Sequence, residues 1–119
     1  MDIYDPSGKK YDGSDNAAIE QYASDMKDLK KKIVKQTRLK NGMLVSTVWL
    51  GINHNFGAGV PLIYETMVFD DFDTFNEVDV VRYSTREEAR KGHTKMTHKY
   101  AHKHLKKQGK DKNVVFIKK

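Results

Sequence analysis

His54, Glu65 and His93 are the side chains of this sequence whose types could together do acid–base or metal chemistry. Two imidazoles and a carboxylate can hold a divalent ion or pass a proton near neutral pH, so their convergence would define a small hydrolase or a metal-dependent enzyme. His98 and His102 form a second pair at the helical i,i+4 spacing, but Lys95, Lys99 and Lys103 surround them and no carboxylate stands beside them. That pair reads as solvated helix surface. Cysteine is absent, which removes disulfides, thiolate metal sites and thiol nucleophiles. No GxSxG, HExxH or paired-acid motif is present either. No metal site is assigned and no cofactor is expected, so an enzyme stays the alternative to a binding protein.

The binding reading starts from GINHNFGAGVP, residues 51–61, which holds three of the eight glycines between two runs that read as strands. Glycine lets a backbone approach a ligand closely and present amide donors to an anion. His54, Asn55, Phe56, Gly57 and Gly59 are the candidate contacts, with Phe56 stacking on a base. The segment has no GxxxxGK[ST] pattern and opens no helix, so it is not a P-loop. Arg82, Arg86 and Arg90 follow at four-residue intervals across a helix start, where amide groups add partial positive charge. Arg82, Arg86 and His93 therefore join the ligand set. Each also has a structural reading. The glycines can serve positive φ alone, Arg86 and Arg90 can pair with Glu87 or the acidic loop, and His93 can be a hydrogen-bonded core residue. Trp49, Tyr64 and Met96 could form a platform for a base, although strand and helix spacing favour the core.

Charge is distributed unevenly. The net charge is +6, yet residues 54–81 carry six acids and no Lys or Arg, whereas residues 82–119 carry thirteen Lys/Arg against three acids. Residues 27–40 form a second basic block of seven cations and one acid. Such blocks raise the local potential and release counterions from phosphate, so Lys91, Lys95, Lys99 and Lys103 are the candidate anionic-partner surface. No apolar stretch approaches the roughly 20 residues of a membrane span, and the N-terminal residues lack the apolar centre of a secretory signal. The expectation is a soluble, cytoplasmic chain with a nucleotide, nucleic acid or protein partner, no membrane, and possible homo-oligomers.

The elements that must position these residues are legible from periodicity. A turn-rich arm covers residues 1–13 of one 119-residue domain. Ala18, Ile19, Tyr22, Met26, Leu29 and Ile33 recur at helical intervals, which predicts a helix over about 15–32 capped by Ser14 or Asp15. Residues 33–50 read as a hairpin about a type I′ Asn41-Gly42 turn, with Lys40 opposite Met43, Arg38 opposite Val45 and Gln36 opposite Thr47. A strand over 62–69, with Glu65 the odd member of its face, precedes an acidic loop and a short strand over 80–83. Ser84 and Glu87 have capping-box form ahead of a long helix, about 85–106, whose inward stripe is Ala89, Gly92 or His93, Met96, Tyr100 and His104 or Leu105. A C-terminal edge strand over 113–117 completes an α+β fold with a mainly antiparallel sheet of about four or five strands.

LVSTVWLGINHNFGAGVPLIYETMVF, residues 44–69, followed by RYSTREEARKGH, residues 82–93, resembles a group of short proteins encoded in bacteriophage genomes. The resemblance implies expression from a phage or prophage in a bacterial cytoplasm, and an accessory role in host takeover or against host defences. It carries no activity over to particular residues. The expected function is noncatalytic binding of a phosphate-bearing partner, acting on a nucleotide signal or on nucleic-acid machinery, with inhibition of a host defence complex through protein contacts as a further alternative.

Overall fold

The computed structural model describes residues 2–55, 59–71 and 73–102. Its element order is α1 (Asp15–Lys27), α2 (Leu29–Lys32), β1 (Ile33–Arg38), β2 (Leu44–Trp49), β3 (Tyr64–Phe69), β4 (Glu77–Tyr83) and α3 (Arg86–Ala101). The strands form one antiparallel sheet in the order β1-β2-β3-β4, so the fold is α+β. The expected C-terminal strand over 113–117, and the expected helix beyond residue 102, lie outside the described residues.

β3 starts at Tyr64 rather than at residue 62, and four further differences from expectation each have a local reason. The predicted N-terminal helix is two helices: Asp28 leaves α1 with extended backbone (φ −94, ψ 106), and its side chain caps α2 through Lys30 N. Thr85 rather than Ser84 caps α3, accepting from Glu88 N while the Glu88 carboxylate receives Thr85 N. β4 starts at Glu77, which shortens the acidic loop. The hairpin turn has three residues, not two. Leu39 N donates to Met43 O at 2.8 Å, Gly42 N donates to Leu39 O at 3.0 Å, and only Gly42 (φ 95) takes the left-handed region.

That third turn residue moves the hairpin register by one. Thr37 pairs with Val45, Gln36 with Ser46 and Lys35 with Thr47. Because side chains alternate across a strand, Thr37 thereby shares a face with Val45, Thr47 and Trp49 in place of Gln36 and Arg38. α3 packs on this face, and Ala89, His93, Met96 and Tyr100 are its buried residues.

The core under α3 has two apolar clusters. Leu39, Met43, Val45, Val68, Met96 and Tyr100 form the one near the hairpin turn. Trp49, Ile63, Tyr64 and Ala89 form the other, with Tyr4, Tyr11, Tyr22 and Met26 packed against it from the N-terminal arm and α1. The arm is bound to the sheet end by an Ile3–Ile52 bridge, by Tyr4 N to Gly51 O at 2.8 Å, and by Trp49 Nε1 to Tyr4 O at 3.0 Å. A buried carboxylate anchors its far end. Asp25 receives Tyr11 Oη at 2.8 Å, Gln21 Nε2 at 3.0 Å and Lys31 Nζ at 2.8 Å. Burial pushes its pKa up, but these donors outweigh it and hold the carboxyl below its ordinary value.

Candidate functional site

His93 sits between the two apolar clusters and is 1% exposed. Its Nδ1 meets Thr47 Oγ1 at 2.7 Å, its Nε2 meets Thr37 Oγ1 at 2.9 Å, and Thr47 Oγ1 meets Thr66 Oγ1 at 2.6 Å. Two threonine hydroxyls, from β1 and β2, thus bond the imidazole, and a third from β3 extends the network through Thr47. A hydroxyl can either donate or accept, so this network satisfies the ring in either neutral tautomer. Dehydration by burial, followed by the nearby Lys35 charge, lowers the imidazole pKa to about 4. His93 is a neutral core residue at neutral pH.

Glu65 occupies the opposite side of the sheet. It neighbours Thr66 in β3 and therefore points away from α3. Its Oε2 receives Arg82 Nε at 3.0 Å, a pair set directly by the register of β3 against β4. His54 lies at the sheet end, where its Nδ1 donates to Ile52 O at 2.8 Å. The structure therefore does not bring His54, Glu65 and His93 together. Among the described residues no group of three or more His, Asp or Glu side chains could hold a metal ion.

The glycine loop is organised by its own side chains. Asn53 Oδ1 accepts Asn55 N at 2.7 Å and Leu62 N at 3.0 Å, closing the loop across its base, while Asn55 Nδ2 donates to Val60 O at 2.9 Å. Gly51 has φ +78 and packs so closely on Tyr22 and Trp49 that a Cβ there would lie 2.5 Å from the Tyr22 ring. Gly59 has φ +118. Both glycines answer geometric demands that no other residue meets easily. Phe56 and Gly57 lie outside the described residues.

The two arginines expected to grip one anion diverge. Arg82 is committed to Glu65 on the far face, whereas Arg86 Nη1 donates to Pro6 O at 3.1 Å. Tyr64 Oη donates to the same carbonyl at 2.7 Å, so the arm crosses the sheet end on a shared acceptor. Trp49 and Tyr64 are fully buried and Met96 nearly so, which makes them core rather than an aromatic platform. On α3, Lys91 lies 3.5 Å from Glu87 in an exposed pair, and Lys95 is exposed. Lys99 bonds Asp79 Oδ2 at 3.3 Å beside Tyr100 Oη at 2.7 Å. Tyr100 and then Lys99 hold the Asp79 carboxyl below its usual range. Lys103 lies outside the described residues.

No protein-family model, curated protein or solved structure matches this chain. Among the described residues no helix is long and apolar enough to cross a membrane. What remains on the surface is a basic array drawn from two elements that are distant in sequence. β1 and its turn contribute Lys35, Arg38 and Lys40, and α3 and its C-cap contribute Lys91, Lys95, His98 and His102, all of them exposed. Residues of β1 and its turn were legible only as a basic block, because nothing local indicates that the hairpin edge lies beside α3.

Proposed function

We propose that this chain is a phage accessory protein that binds a phosphate-bearing partner without catalysis, in host takeover or against host defence. The observation that carries the reading is the placement of the chain's charges. Three groups with acid–base potential are engaged inside the fold: His93 with threonines, Glu65 with Arg82, Asp25 with Tyr11, Gln21 and Lys31. Lys35, Arg38 and Lys40 of β1 and its turn, and Lys91 and Lys95 of α3, have exposed side chains. A surface of that kind attracts polyanions by counterion release and needs no enclosed reaction chamber. The resemblance of residues 44–69 and 82–93 to phage-encoded proteins supports the biological setting.

The test is fluorescence anisotropy with labelled single-stranded and duplex DNA across a salt series, beside calorimetry with cyclic and linear nucleotides. Lys91→Gln/Lys95→Gln should lower the slope of log affinity against log salt by about one per lysine. Oligonucleotide affinity that ignores salt, together with no heat from any nucleotide, refutes the reading. Inhibition of a host protein would then be the better account.

A further inference from the structure

The sheet has two outer strands, and their edges differ in chemistry. β1 carries exposed Lys35, Gln36 and Arg38, and its register against β2 breaks between Ile33 and Lys35. Like charges and a bulge keep a second strand away from an edge. β4 holds no lysine or proline. Among the described residues it is the one strand with large exposed apolar side chains, Val78 at 46% and Val81 at 40%. Its Asp79 is engaged inward by Tyr100 and Lys99.

The remaining charges of β4 are one acid and one base on one face. Arg82 lies opposite Glu65, and Glu77 lies opposite Phe69, four residues further along β3, so both share the face that points away from α3. Val80, opposite Met67, stands between them on that face. Val78 falls between the partners of Val68 and Phe69 and has none of its own in β3, which makes it a bulge residue. Glu77 is exposed and has no ion-pair partner among the described residues. Arg82 is 39% exposed, and Glu65 takes the Nε donor of a guanidinium that has five N–H groups.

An antiparallel strand can pair with its own copy about a two-fold axis, which makes any favourable contact occur twice. We infer that β4 pairs with β4 of a second copy, joining two four-stranded sheets into one. With Val80 on the axis, Val78 of each copy lies opposite Arg82 of the other, and Glu77 of each comes beside that same Arg82. The charges are therefore self-complementary. β1 carries only cations, so the same pairing there would set like charges together. The axis runs perpendicular to the sheet, so both α3 helices stay on one face and Lys91 and Lys95 of both copies are offered to the same side. The interface does not depend on the phosphate-binding reading.

Sedimentation velocity of the full-length chain, without ligand and over a wide range of protein concentration, should show a monomer–dimer equilibrium. Val78→Lys sets a second cation against Arg82 at both ends of the interface and should weaken the dimer at least about tenfold. Glu77→Gln removes two exposed ion pairs and should weaken it about threefold to tenfold; added salt should weaken the wild type by a similar factor and change Glu77→Gln little. Thermal melts of dilute protein should be unchanged in both, because Val78 has no strand partner and Glu77 is exposed. The chain has no cysteine, which allows a direct test of register. Opposite residues of antiparallel strands lie about 4.5–5.5 Å apart at Cα, within reach of a disulfide, so Val80→Cys should give a crosslinked dimer under mild oxidation and Gln36→Cys of β1 should not. A chain that is monomeric at every concentration overturns the inference. So does a dimer that Val78→Lys leaves intact, or one that crosslinks through Gln36→Cys and not through Val80→Cys. If Val78→Lys lowers the melting temperature, the Val80→Cys crosslink decides. The functional reading survives each of these outcomes, since no anion takes part in them.

Discussion

Burying a neutral imidazole makes the stability of this fold depend on pH in a window that can be worked out. His93 titrates at about 4 in the folded chain against an ordinary value of 6.5. Between those values the unfolded chain holds a proton that the folded chain refuses, so stability falls as pH falls. The slope approaches 1.36 kcal/mol per pH unit, which over the interval amounts to about 3 kcal/mol. Below pH 4 both states are protonated and this contribution stops changing. Asp25 and Asp79, whose pKa values are lowered, lose their contributions below the ordinary carboxylate value of 3.8, so the two effects occupy successive windows. His93→Gln retains a donor and an acceptor for Thr37 and Thr47 but does not titrate. Urea unfolding followed by the fluorescence of Trp49, the single tryptophan and fully buried, measures both proteins from pH 7.5 to 4. The wild type should lose about 3 kcal/mol more than the variant across that range. Parallel profiles would refute the argument that His93 is dehydrated.

Two further substitutions probe the geometry around the sheet. Gly51→Ala should cost about 1–2 kcal/mol for left-handed backbone and a further 1–3 for overpacking against Tyr22 and Trp49, read as a lower urea midpoint; a change below about 0.5 kcal/mol would show that the loop can relax. Asn41→Asp keeps the acceptor for Met43 N but loses the donor to Tyr100 O, so it should cost about 1 kcal/mol or more in thermal melts, whereas a type I′ turn, which accepts Asp-Gly as readily as Asn-Gly, would be indifferent.

The existence and order of the elements were legible because helical and strand periods are strong local signals, and α1, the hairpin, β3, β4 and α3 all fall where those periods place them. Boundaries failed where one segment satisfied two patterns. Ser84-Thr85-Arg86-Glu87-Glu88 contains two overlapping capping boxes, and local sequence does not choose between Ser84–Glu87 and Thr85–Glu88. Leu29 extended the helical spacing of α1, yet it is 65% exposed, and Asp28 caps a new helix because its carboxylate competes for backbone amides. Asn41-Gly42 resembled a two-residue turn, but Asn41 instead spends its side chain on Met43 N and on α3. The extra turn residue rotates β1 so that Thr37, not Gln36, reaches His93.

Site residues were harder to place because their partners are remote in sequence. Pro6 O meets Tyr64 and Arg86 across 58 and 80 residues, and no periodicity announces a contact of that kind. Parity decides the rest. Glu65 and Thr66 are adjacent in β3, so one must face α3 and the other must leave it. Thr66 joins the hydroxyl network that reaches His93, which sends Glu65 to the opposite face. There the register sets it against Arg82, and a carboxylate with little water around it is stabilised by a nearby guanidinium. The anomaly visible in the sequence, a charged residue in an apolar strand, was real, but its explanation was a cross-strand partner. That one contact withdraws Glu65 from any site with His93 and Arg82 from any site with Arg86. It leaves the exposed cations Lys35 and Lys40 of the hairpin and Lys95 of α3 as the part of the molecule most open to an anionic ligand.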